Sequence, residues 1–247
     1  HFETWYFVLG QFKIGLCQLS VTPDKTTNLS RARSSIEIAA KLGASLVVLP
    51  EMWNSPYSED YFAKFAEDFD YEDASPSYFM LSEVAPCHGI TIVGGSMPEL
   101  KDGRLYNTCC VFVPDGKLKA KHRKLHMFDA NIPGDILYKE SDTFTAGDNP
   151  TVVETDMGRI GIGICHDIRF PELAMLYRTR GAHVIRYPGA FNMSTGEMLW
   201  ELEQRARQLH IFWQQMTRQG LPLENQRRGD IYQFVDIEEQ RPKIDNH

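Results

Sequence analysis

Ser45 to Leu49, SLVVL, carries an unbroken apolar run of four residues. A strand of that composition is covered on both faces, unlike the alternating strand of a sheet with one wet side. The chain that carries it must therefore stack layers on either side of a sheet. Pro50 and Glu51 follow at once, so the strand ends by delivering a carboxylate. A carboxylate in that position must find a partner or take up a proton, because an unpaired buried charge costs several kcal/mol.

The rest of the chain alternates between strand and helix patterns. Phe12 to Leu19 reads as a strand, and Asn28 to Leu42 carries Ala and Ile at helical spacing before Gly43, a natural helix-ending residue. Ser77 to His88 reads as a helix disturbed by Pro86, and Ile90 to Gly94 as a short buried strand. Leu105 to Val113 and Lys117 to His122 flank the turn residues Pro114-Asp115-Gly116 and predict a hairpin, with Lys124 just past its second strand. Thr151 to Thr155 and Arg159 to Ile164 predict two more strands, followed by a helix from about Pro171 to Arg180, a strand over Ala182 to Tyr187 and a helix over Thr195 to Gln208. Residues 52–74 show no clear period, and 125–150 read as one long irregular stretch. With 247 residues, 43% of them hydrophobic, this is one layered α/β domain.

Charge and cysteine usage narrow the function. The net charge is -7 and the basic residues are scattered, so there is no electrostatic footprint for nucleic acid and the expected partner is a small molecule. Cysteines at 17, 87, 109, 110 and 165 include no C-x-x-C, which fits a reducing compartment, the cytoplasm first, with plastid and mitochondrion left open. Cys109 and Cys110 are expected to face opposite sides of a strand. The opening residues have neither the basic start and long apolar stretch of a secretory signal nor the length of a membrane span, so no membrane association is expected. His122 and His126 are four apart, but no Glu follows His122 and the stretch leaves a hairpin, so no metal site is expected. Gly158, Gly161 and Gly163 lack dinucleotide-fingerprint spacing and are expected to serve close packing.

Three residues form a chemical set. Cys165 ends the strand and precedes His166-Asp167, where a turn would expose the sulfur beside backbone N–H groups. Amide hydrolysis needs a thiolate, a base that takes its proton and later activates water, and positive charge where the carbonyl oxygen becomes an oxyanion. Cys165, Glu51 and Lys124 supply these. A papain-like pairing of the cysteine with His166, His183 or His210 stays open on sequence alone.

Leu49-Pro50-Glu51, the segment His122 to His126 and the segment Gly163 to Asp167 resemble the Glu, Lys and Cys motifs of the nitrilase superfamily of carbon-nitrogen hydrolases. Asn54 to Tyr57, Leu105 to Cys109, Phe128-Asp129, Ile132 to Gly134 and Tyr187 to Asn192 look most like its omega-amidase branch, the plant-type sequences closest. The resemblance runs from about Phe12 to Arg207. It implies an αββα sandwich with no metal or organic cofactor, acting through a thioester on Cys165. It also implies an oxyanion hole of Lys124 and the His166 N–H, with Glu140 assisting Glu51 or orienting Lys124. Substrate contacts are expected from Tyr57, Phe191, Asn192 and Thr195. The implied substrates are ω-amides of small dicarboxylic acids such as 2-oxoglutaramate and 2-oxosuccinamate, handled by a homodimer or larger homo-oligomer. N-carbamoyl amine hydrolysis and an impaired variant that acts only by association are the alternatives. The similarity departs from the family at His166, where Tyr is common, and at Arg186, in a strand that is usually apolar. After Gln208 an internal piece with C-terminal strands is expected to be missing. The expected division is an extension over 1–11, a hydrolase domain over 12–213, incomplete at its C-terminal side, and a tail over 214–247.

Overall fold

A computed structural model describes residues 12–132, 136–191, 196–197, 199–207 and 234–237. The apolar run forms β2 (Ala44–Val48), whose Leu46 and Val47 have no exposed surface. It pairs in parallel with β1 (Lys13–Cys17) on one side and β3 (Thr91–Val93) on the other. β4 (Met97–Lys101), β5 (Arg104–Phe112) and β6 (Leu118–Arg123) complete this part of the sheet by antiparallel pairing. β5 is long enough to pair β3 and β4 in succession along one edge while β6 takes the other.

A short hairpin follows, β7 (Asp129–Ile132) and β8 (Ile136–Lys139), inside the stretch that the sequence left irregular. β9 (Thr151–Thr155), β10 (Gly158–Ile162) and β11 (Val184–Arg186) make a separate three-stranded sheet in the order β11-β10-β9. β12 (Phe234–Ile237) pairs in parallel with β1, so the seven-stranded sheet runs β12-β1-β2-β3-β5-β4 with β6 beside β5.

Two helices cover the outer face of the larger sheet. α1 (Lys25–Lys41) begins at Asp24, whose side chain accepts the Thr26 and Thr27 N–H groups, and buries Ala32, Ile36 and Ala39. α3 (Pro76–His88) starts on Pro76, tolerates Pro86 in its last turns and ends at left-handed Gly89. Together they enclose Val47, Ile92, Cys110 and Phe112. The inner face of the sheet presents Ile14, Leu46, Val48, Val93, Cys109 and Val111 to Val153, Ile160 and Ile162 of the smaller sheet. Cys109 and Cys110 thus enter different cores, as their alternation requires. α4 (Pro171–Thr179) closes the far side through Leu173 and Tyr177. The layers run helix, sheet, sheet, helix, the αββα order implied by the resemblance.

The sequence reading missed β4, the β7–β8 hairpin and α2 (Glu59–Phe65), which buries Phe62 and Phe65. The segment after Gln208, where strands were expected to be missing, lies outside the described residues up to β12.

The glycines before Cys165 permit close packing. A Cβ on Gly161 would stand 2.9 Å from both Cδ2 and Cγ of Tyr177, and one on Gly163 would stand 2.5 Å from Cε1 of Tyr187. Tyr177 is fully buried between α4 and the smaller sheet, so its ring has no room to retreat. We expect Gly161→Ala to destabilise the protein by about 1–3 kcal/mol through overpacking. A lowered urea midpoint at unchanged slope checks this, and an unchanged midpoint contradicts it.

Candidate active site

Glu51, Lys124, Glu140 and Cys165 come from four separate parts of the chain and meet between the two sheets. Glu51 lies just beyond β2, held where Ser96 N–H bonds the Pro50 carbonyl at 3.0 Å. Lys124 directly follows β6, its N–H bonded to the Asn107 carbonyl and its carbonyl to Gly147 N–H, each at 2.8 Å. Glu140 opens a 3-10 turn after β8. Cys165 opens another, just past β10.

The centre is an ammonium between two carboxylates. Lys124 Nζ donates to Glu51 Oε1 at 2.9 Å and to Glu140 Oε2 and Oε1 at 2.8 and 3.0 Å, with all three side chains sealed from solvent. Burial alone would push Lys124 down, but the charges of Glu51, Glu140 and Cys165 outweigh it and raise its pKa, so the ammonium stays charged. Asn107 Nδ2 adds a neutral bridge, donating to Glu51 Oε1 at 2.9 Å and Glu140 Oε1 at 3.2 Å. Glu140 Oε2 also accepts Phe128 N–H at 2.7 Å, and Glu51 Oε2 accepts Ala190 N–H at 3.1 Å. Oε1 of Glu51 is thereby committed to Lys124 and Asn107.

Cys165 is half-buried and has a φ of 43°, a left-handed backbone that costs a non-glycine residue about 1–3 kcal/mol. Its N–H is fixed to the Pro188 carbonyl at 2.7 Å, and the Asp167 N–H to the Ile164 carbonyl at 2.9 Å. His166 stands between them at the start of the turn, where the amides of a short helix precede its own hydrogen-bond pattern. Burial first, then the Glu51 carboxylate, raise the Cys165 thiol well above its usual value, while Lys124 and the Ala190 N–H pull it down. The direction follows from the charge count. Two carboxylates and one ammonium already leave a net negative charge, and a thiolate would add a second. Cys165 therefore rests as a thiol beside a carboxylate that can take its proton. Cys17, Cys109 and Cys110 are buried and their thiols are raised mainly by burial, whereas Cys87 is exposed.

A chain of rings runs beside the cluster. Tyr57 lies 6.2 Å from Tyr138, Tyr138 6.1 Å from Phe128, Phe128 5.2 Å from His166 and His166 5.6 Å from Phe170, ring centre to ring centre. Tyr57 sits among the site's charges. Burial first, then Glu51, Glu140 and Cys165, hold its hydroxyl protonated. The structure thus brings Tyr57 to the site, while Phe191, one residue beyond Ala190, packs edge-on against Trp200 at 5.0 Å. Asn192 and Thr195 lie outside the described residues. Among the described residues no group of three or more His, Cys, Asp or Glu is arranged to hold a metal, and no helix is long and apolar enough to cross a membrane.

Asn107 and Asp167 lie in segments quoted for the resemblance, but the sequence reading assigns neither a role in the site. Asn107 could have been found from the hairpin, since counting outward from Asp115-Gly116 places it opposite Lys124. The candidates for a cysteine-histidine pair are otherwise engaged: the His166 ring packs between Phe128 and Phe170, and His183 Nδ1 accepts Arg159 N–H at 3.0 Å. His210 lies outside the described residues.

Burial, followed by the charges of Arg169 and Lys124, lowers the His166 pKa from 6.5 to about 4. Between those values the unfolded chain binds the proton more tightly, so stability from this group is full above about pH 6.5 and is lost as the pH falls to about 4. Relative to the parent, His166→Phe should flatten the acid limb of a stability-against-pH curve, and an unchanged limb would contradict the assignment. Lys124→Met leaves two buried carboxylates without their cation and should destabilise the protein by about 3–5 kcal/mol. Urea denaturation at neutral pH measures this, and Glu140→Gln in the same background should return part of it.

The carbon-nitrogen hydrolase family model matches residues 13–217. The chloroplastic omega-amidase of Arabidopsis thaliana is 52% identical over 280 aligned positions, which take in 93% of this chain and 76% of the plant protein. Those 280 positions exceed the 247 residues here, so at least 33 positions of the plant protein have no counterpart in this chain. Mouse omega-amidase NIT2 is 48% identical over 199 residues, 81% of this chain and 71% of its own. The crystal structure of Saccharomyces cerevisiae Nit3, a member of branch 10 of the nitrilase superfamily, superposes with a TM-score of 0.72 at 44% identity, covering 80% of this chain and 71% of that one. With the layer order and the Glu51, Lys124 and Cys165 arrangement already in place, these similarities establish that the chain belongs to the carbon-nitrogen hydrolase family.

Proposed function

We propose that this protein hydrolyses the ω-amide of small dicarboxylic acids to the acid and ammonia, with Cys165 as nucleophile, Glu51 as base and Lys124 as oxyanion partner. The observation that carries the reading is the sealed Glu51–Lys124–Glu140 cluster set against a half-buried Cys165 thiol. The omega-amidase names of the plant and mouse relatives point to the substrate class.

In this reading the Cys165 proton passes to Glu51 as the sulfur bonds to the amide carbon. The carbonyl oxygen becomes an oxyanion, held by Lys124 Nζ and the His166 N–H. When the tetrahedral adduct collapses, the C–N bond breaks, the nitrogen takes the proton from Glu51, and ammonia leaves a thioester on Cys165. Glu51 then removes a proton from water, whose oxygen attacks the thioester carbon. The second collapse breaks the C–S bond and returns the proton to the sulfur, releasing the acid. Glu140 acts through Lys124, holding it on the side of the oxyanion. The Tyr138 hydroxyl, raised by burial and then by Glu140, stays protonated and is buried without a hydrogen-bond partner among the described residues. It is a donor left unpaired beside Tyr57.

Ammonia release should be faster from a dicarboxylic ω-amide than from an N-carbamoyl amine or a neutral nitrile at matched concentration. Cys165→Ala should abolish it, and mass spectrometry of acid-quenched turnover should place the acyl group on Cys165. Removing the Lys124 charge should cost about 2.7–4 kcal/mol of transition-state stabilisation, as loss of one oxyanion donor does. A higher kcat/KM for carbamoyl amines would move the assignment to that class, and full activity in Cys165→Ala would defeat the mechanism.

A further inference from the structure

Asp167 has no exposed surface and lies two residues after the proposed nucleophile. Its carboxylate meets four nitrogens. Oδ2 accepts Ile164 N–H at 2.8 Å and faces His122 Nε2 at 3.4 Å, while Oδ1 accepts His126 N–H at 2.9 Å and faces His126 Nδ1 at 2.7 Å. Although burial opposes the charge, the two histidines and the Ile164 N–H overcome it and hold the carboxyl well below its usual range. His122 and His126 are the residues two before and two after Lys124. One carboxylate therefore ties the turn that presents Cys165 to both flanks of the lysine, across the gap between the two sheets. Both histidines are braced in turn: His122 Nδ1 meets Thr151 Oγ1 at 3.1 Å, and the His126 ring stacks on Phe170 at 3.6 Å with 9° between planes.

On the catalytic reading given above, we propose that Asp167 is a positioning residue that, with His122 and His126, sets the separation of Lys124 from Cys165. The cluster around Lys124 fixes the ammonium to Glu51 and Glu140 within its own side of the site. The sulfur arrives from the other sheet, and the Asp167 clamp is a charged link between the two supports, alongside the bond from Ala190 N–H to Glu51 Oε2. An ionised carboxylate accepts from all four donors at once. An amide in its place turns an N–H toward at least one of them and opens the clamp.

The test compares Asp167→Asn, His126→Ala and His126→Asn with the parent. Asn places its amide nitrogen where His126 carries Nδ1 and so keeps the donor. Ammonia release gives kcat and KM, and alkylation of Cys165 by iodoacetamide at fixed pH, followed on the Cys165 peptide by mass, probes the sulfur without requiring amide turnover. Asp167→Asn and His126→Ala should lower kcat roughly 10- to 100-fold, the loss expected when reacting groups are misplaced by about an ångström. KM should stay within about 3-fold, because ground-state binding is not the interaction removed. Alkylation should slow at least about 3-fold as Lys124 retreats from the sulfur, and His126→Asn should restore both rates to within about 3-fold. If Asp167→Asn does not fold, the two His126 variants decide. Parent-like kcat and alkylation in His126→Ala, or a loss that His126→Asn does not restore, overturn the clamp. A parent that releases no ammonia from any amide, with alkylation still following the expected order, defeats the catalytic reading and leaves the clamp standing.

Discussion

One ammonium holds this site together. Lys124 has no contact with water, so it exists as a cation only because Glu51 and Glu140 close on it from two directions. The ion cluster fixes more than the charge of the lysine. Glu51 ends β2, Lys124 ends β6 and Glu140 follows the β7–β8 hairpin, so the ion cluster fastens three strand ends that share no local sequence. Asn107 makes it tolerable for two carboxylates to face each other by placing an N–H toward one oxygen of each.

The sandwich sets this cluster beside a thiol. The larger sheet carries Glu51 and Lys124, the β7–β8 hairpin carries Glu140, and the smaller sheet delivers the sulfur on a strained turn whose backbone is fixed to the Pro188 carbonyl. Had cluster and sulfur come from one sheet, the thiol would sit in the plane of its neighbours and be covered by the next layer. Arriving from the opposing layer, it meets the Glu51 carboxylate and keeps partial access to solvent.

Much of this was legible in the sequence because strand ends are local features. SLVVL followed by Pro-Glu announces Glu51, the Pro114-Asp115-Gly116 turn sets where Lys124 emerges, and the glycine-spaced strand before Cys165 announces its turn. Asn107 was not legible as part of the site, since nothing in its strand separates it from its neighbours until the hairpin register is counted to Lys124. Asp167 was quoted as part of a motif, but its role depends on two histidines some forty residues earlier. α2 was hidden because its apolar residues, Phe62 and Phe65, cover barely one turn. The β7–β8 hairpin was hidden because its strands are only four residues each.

The pairing of β12 with β1 joins Ile14 to Phe234, partners 220 residues apart. The entropy of closing so long a loop grows only slowly with its length, but the contact is unavailable until Phe234 to Ile237 have been made. During synthesis β1 can find β2 early, since they are neighbours in sequence, yet the edge that β12 takes has to wait for β12 to emerge. Such non-local pairings slow folding, and an open edge is the place where another chain can add. The waiting time of β1 is therefore an interval in which its open edge invites misassembly.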